Sequence, residues 1–148
     1  MKRYVLIAVI ALITFLPSVA KAGPFSDDMS KCFVNSTSSG DKAQLVRWIF
    51  SVAAIHPALS GISNVSDAQR AELNKQMAQM IERLLTETCA AESKAALKNE
   101  GQLAMSTAFG VLGQAAMAGL FSDPTVSAAS AAFAQELDQQ KIRALLGK

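Results

Sequence analysis

Apolar and polar positions along this chain recur with a helical period, and no stretch alternates cleanly with the two-residue period of a strand. Ser26 can cap a short first helix reaching about Val34, with Asp27 and Asp28 in its first turn, where negative charge suits the helix dipole. The polar run 35–40 reads as a loop. From Asp41 to about His56, Leu45, Trp48, Ile49, Val52 and Ile55 fall on one helical face, with Val46, Phe50 and Ala53 broadening it. Pro57 ends that helix, because the residue before a proline disfavours the helical region. After a connector to Val65, the run Ser66-Asp67-Ala68-Gln69 matches a capping box and opens a third helix to about Cys89. Its apolar stripe is Leu73, Met77, Met80, Ile81, Leu84 and Leu85. Residues 90–99 continue as helix after a bend, and Gly101 interrupts them.

Residues 101–122 carry no charge. Gln102, Ser106, Thr107 and Gln114 dilute the segment, so it reads as a helix buried on most sides in a soluble core. On that reading Gly110, Gly113 and Gly119 let neighbouring helices approach closely. A membrane-associated helix over 101–121 is the alternative. Asp123-Pro124 then supplies an N-cap and a first-turn proline for a last helix to about Leu146, bending near Asp138. These elements predict an all-α, single-domain bundle of five or six helices.

The N-terminus follows a different pattern. Lys2 and Arg3 precede an apolar run from Tyr4 to Leu16, and Pro17 breaks it. Ala20 and Ala22 place small residues at the −3 and −1 positions of a cleavage site. This is the organisation of a secretory signal. The run is about 13 residues, short of the roughly 20 that span a bilayer. Residues 1–22 are therefore expected to be removed between Ala22 and Gly23, leaving a soluble helical domain over 23–148 in a bacterial periplasm.

Composition sharpens this picture in two places. Of 148 residues, 51% are hydrophobic, enough for a core and against disorder. The formal net charge of +2 falls once Lys2, Arg3 and Lys21 leave with the signal, to 11 basic against 12 acidic residues. A strongly basic nucleic-acid binder is excluded.

Candidate chemistry is sparse. Two cysteines in an exported chain are most simply a disulfide, here Cys32 with Cys89. Two reduced thiols are the other option, but Cys-x-x-Cys is absent, which disfavours a thioredoxin-like role. Such a bridge would pin a first helix with few apolar residues of its own. His56 is the sole histidine, which excludes a multi-histidine metal site within one chain. It reads as a helix C-terminal residue interacting with the last carbonyls. Met77, Met80, Met105 and Met117 read as core rather than as copper ligands. No nucleophile motif, zinc motif or phosphate loop is present, so no catalytic residue, metal or cofactor is expected. Arg47, Trp48, Phe50 and His56 form a candidate binding surface, and Trp48, Phe50, Phe109 and Phe121 are candidates to line a pocket.

The runs Asp27-Asp28-Met29-Ser30-Lys31-Cys32, Ser36-Thr37, Leu45-Val46-Arg47-Trp48-Ile49-Phe50 and His56-Pro57, with Asp41, carry a resemblance. So do Asn64-Val65-Ser66-Asp67-Ala68-Gln69-Arg70 and Leu84-Leu85-Thr86-Glu87-Thr88-Cys89. Over roughly Asp27 to Cys89, half of the mature chain, the protein resembles an uncharacterised family of small secreted helical proteins of Gram-negative bacteria. The resemblance implies export and the cysteine pair, and it carries no activity and no catalytic residue. The expected function is that of an exported, non-enzymatic protein binding a partner protein or a small apolar ligand in the periplasm. A membrane-associated envelope protein using 101–121 is the alternative.

Overall fold

The computed structural model describes residues 23–145 and 147. The expected signal, residues 1–22 including Ala22 of the expected cleavage site, lies outside the described residues. Among those described there are seven α-helices and no strand. They are α1 (Pro24–Ser36), α2 (Ser39–Ala53), α3 (Asp67–Arg83), α4 (Ala90–Glu100), α5 (Gln102–Phe121), α6 (Pro124–Gln135) and α7 (Gln139–Leu145). A 3-10 turn spans Pro57–Leu59, and one π-helical turn spans Leu84–Thr88. The all-α bundle expected from the periodicity is present, with one helix more than the upper count. The extra helix arises at Asp138, where a continuous last helix was expected to bend. The Asp138 carboxylate instead accepts the Gln140 and Lys141 N–H at 3.0 and 3.1 Å and so starts α7 afresh.

Local chemistry sets the other boundaries. α1 begins two residues before the expected cap at Ser26, because Pro24 occupies its first turn and Gly23 is the N-cap. The expected loop 35–40 shrinks to Thr37 and Ser38. Ser38 and Asp41 form a reciprocal capping box: the Asp41 N–H donates to the Ser38 hydroxyl at 3.1 Å, and the Ser38 N–H to the Asp41 carboxylate at 2.9 Å. The expected box at Ser66 and Gln69 is formed, with 2.8 and 3.2 Å bonds. α2 ends at Ala53, three residues before His56.

α1 lies along α5 and α4, while α2 packs on α3 and α5. The core is Met29 and Phe33 from α1, Leu45 from α2, Met77 and Met80 from α3, Leu84 from the π-turn, Cys89 just after it, Ala96 from α4, and Ala104, Ala108, Leu112 and Ala116 from α5. Phe33 meets Phe109 edge to face, with ring centroids 5.9 Å apart. Phe33 and Met29 of α1 are the two largest fully buried side chains among the described residues. One expectation is overturned here: α5 is not buried on most sides. Its buried residues recur every fourth position as one narrow stripe, mostly alanine, while Leu103 and Val111 are exposed. The alanines, not the glycines, form the close contact. No atom of a neighbouring element lies within 4 Å of where a Cβ on Gly110, Gly113 or Gly119 would stand.

Cys32 and Cys89 are joined in a disulfide with Cα atoms 5.9 Å apart. The π-turn prepares this geometry. Its wider hydrogen bond, Cys89 N–H to Leu84 carbonyl at 2.9 Å, admits an extra residue before Cys89 and re-aims the chain into α4.

Candidate functional site: an apolar groove between two helices

Arg47 and Phe50 stand one turn apart on the outer side of α2, and both are exposed. With Ser51 they form one wall of a groove. Val65 in the connector and Ala68, Glu72 and Leu73 on α3 form the other. The open volume is about 600 Å³. Phe50, Val65 and Leu73 give it an apolar floor. Arg47 and Glu72 put opposite charges at its margins, and the Arg47 guanidinium has no ion-pair partner among the described residues.

Arg70 holds the two walls in place. Its guanidinium donates to the Ser51 carbonyl at 3.0 Å, to the Val65 carbonyl at 3.4 Å and to the Asp67 carboxylate at 2.9 Å. It thus satisfies a carbonyl near the end of α2 and ties the connector to the start of α3. The other end of the helix pair is tied by Arg83, which donates to Asp41 at 3.0 Å. Burial pushes the Asp41 carboxyl up, but the Ser38 N–H and hydroxyl and the Arg83 guanidinium together hold it below its ordinary value. Arg70 was not expected in this role. Its one sequence signal is its place in the first turn after the capping box, close to the end of the neighbouring helix in the fold.

The four residues of the expected surface separate. Arg47 and Phe50 share the groove. Trp48 turns toward α3 instead, where its indole N–H donates to Asn74 at 2.9 Å. Its ring lines a second space of about 330 Å³ with Leu45, Ile49, Met77, Phe109 and Leu112. Of the aromatic quartet, Trp48 and Phe109 therefore come together, whereas Phe121 is exposed elsewhere. His56 lines neither space, and it meets the last carbonyl of α2 through its main-chain N–H, which donates to Ala53 at 2.9 Å, and not through its side chain. Its Nδ1 accepts the Ala58 N–H at 3.2 Å and caps the short turn that follows. The pre-proline position puts His56 in extended backbone, which suits a cap.

Arg47 also borders a further groove of about 500 Å³ between α2 and α5, with Val46, Gly119, Leu120 and Val126. Both cysteines are consumed by the disulfide. Among the described residues no three His, Cys, Asp or Glu side chains gather as metal ligands. No protein family, curated protein or solved structure matches this chain.

Proposed function

We propose that this is an exported, non-enzymatic helical protein of the periplasm that binds a small apolar ligand or an apolar segment of a partner protein in the groove between α2 and α3. What carries the reading is the apolar floor of exposed Phe50 with half-buried Val65 and Leu73, framed by Arg47, which has no ion-pair partner among the described residues. Its volume falls within the range of small-molecule sites. Phe50 is 54% exposed, a large aromatic surface that the fold itself leaves uncovered. The disulfide fits an oxidising compartment outside the cytoplasm. Native mass spectrometry of freshly purified protein, with crosslinking in the cell envelope, tests the reading. A retained ligand or a crosslinked partner that is lost in Phe50→Ala is the expected result. A bare monomer with no crosslinked partner refutes it.

A second reading has its own observation. α5 is long and apolar enough to cross a membrane, and most of its surface is not covered by the bundle. With Phe121 exposed at its end and Phe133 and Leu145 exposed beyond it, this region supports association with the envelope membrane. Release of the mature protein into a detergent-free periplasmic extract excludes that reading.

A further inference from the structure

α1 begins against a carboxylate from the far end of α4. Glu100 accepts the Phe25 N–H at 3.0 Å and the Ser26 N–H at 2.9 Å, and the Ser26 hydroxyl also donates to it. These are free first-turn donors of α1, which otherwise has no side-chain cap. The carboxylate also presses on Gly23: a Cβ there would collide with its oxygens, although the backbone of Gly23 is ordinary extended chain. A side chain at 23 would therefore make the Glu100 carboxyl shift, while the backbone conformation at 23 suits any residue. No Lys or Arg among the described residues pairs with Glu100. The other charges on the two helices, Asp27, Asp28 and Lys31 on α1 and Glu92, Lys94 and Lys98 on α4, make no hydrogen bond or ion pair to it. Its carboxyl is nonetheless held below the ordinary range, by the Ser26 hydroxyl first, against some desolvation, and then by the N–H groups of Phe25, Ser26 and Gly23. Glu100 is therefore an anion with Gly23 directly against its carboxyl and no cation paired with it among the described residues.

We propose that Glu100 is the receptor for the mature N-terminus: the α-ammonium created when the Ala22–Gly23 bond is cut pairs with the Glu100 carboxylate and locks α1 onto the end of α4. The proposal rests on the export reading, which supplies the cut. Hydrolysis of that bond consumes one water. Its hydroxyl remains on the Ala22 carbonyl carbon, which becomes a carboxylate, and the Gly23 nitrogen departs as an amine that is protonated at neutral pH. The signal peptidase of the export apparatus performs the step. A neutral amide N–H beside Glu100 becomes a cation with three donors, and a charge-assisted bond replaces a neutral one. The position of the cut matters. One extra residue moves the ammonium by about 3.8 Å along the chain and returns Gly23 to an amide.

Three oxidised chains test this: one starting at Gly23 through scarless cleavage of a fusion, the same chain acetylated at Gly23, and one starting at Ala22. Each is made with Glu100 and with Glu100→Gln. The expected result is a Gly23 α-amine titrating about one pH unit above its ordinary range of roughly 7.7–8.0, returning to that range in Glu100→Gln. The melting temperature should be highest for the free Gly23 start, lower for the other two, and insensitive to the start in Glu100→Gln. An α-amine that titrates in its ordinary range, or melting that ignores acetylation and extension while Glu100→Gln still lowers it, overturns the proposal and leaves Glu100 as a plain helix cap. Export is scored separately, by the intact mass of the envelope product. A product retaining residues 1–22 removes the export reading without altering the pairing measured on the prepared chains.

Discussion

Two glycines show how position decides what a residue type does. Gly101 has φ 62° and ψ −145°, a conformation that only glycine adopts without strain, and it lets α4 stop and α5 leave in a new direction. Gly113 sits within α5 with open space where a side chain would stand. Gly101→Ala should therefore lose about 1–3 kcal/mol of stability. Gly113→Ala should gain up to about 1 kcal/mol, from helix propensity alone. Urea denaturation of both variants decides the pair, and a loss in Gly113→Ala would mean that α5 is covered there. Bulk at 113, expected from the sequence to overpack a close helix contact, meets no such contact. Glu100 makes the third residue-scale case. Its carboxyl is depressed in the folded state, by the Ser26 hydroxyl foremost, so the linked stability is present above the unfolded carboxyl value and is lost as pH falls through the native one. Asp41 and Asp123 are depressed as well and act in the same direction. Denaturation series from pH 7 downward should show stability declining with acid, less steeply in Glu100→Gln than in the wild type.

At the scale of elements, the disulfide and the π-turn belong together. Cys32→Ala and Cys89→Ala should each lose about 2–4 kcal/mol, since the bridge closes a loop with a sequence separation of 57. The double variant should lose little more than either alone, because one covalent link is removed in all three. Thiol titration of unfolded, unreduced wild-type protein should find no reactive group. Helix identity in this chain was largely legible: the capping box at Ser66 and the stripe from Leu73 to Leu85 have local causes, although α2 ends at Ala53, short of the stop expected at Pro57. What the sequence concealed lies in contacts between distant segments. α1 has few apolar residues, yet Met29 and Phe33 suffice because small residues, Ser26 and Ser30 on α1 and the alanines on α5, allow close packing. An uncharged helix carries no sign of which side will be covered, so the stripe of Ala104, Ala108, Leu112 and Ala116 could not be separated from its glycine-bearing faces. The same holds for the candidate site. Arg47 and Phe50 were legible as exposed partners on α2, but Trp48 and His56 are neighbours only in sequence. Arg70 emerges solely from the packing of α3 on α2.

For the whole molecule, the core is confined to α1 through α5. α6 and α7 add no residue to it, α6 packs mainly where it leaves α5, and Phe133 and Leu145 are 70% and 83% exposed. Removing residues 124–148 should therefore change the stability of the bundle by no more than about 1 kcal/mol. It should at the same time lower any retention on vesicles. A urea midpoint that collapses on truncation would show that these helices bury surface on the bundle after all.

The central place of α1 also has a consequence in time. Ribosomes make this helix first among those of the bundle, yet its partners, Cys89, Glu100 and the alanine stripe ending at Ala116, are made last. Contacts that distant in sequence form late, because the intervening loop must close before they repay its entropy. Until then Met29 and Phe33 have no surface to cover them, and the Cys32 thiol is open to any oxidant or passing thiol. The nascent chain is therefore at its most vulnerable to mispairing and aggregation at its beginning, and it leaves that state only when the second half has arrived.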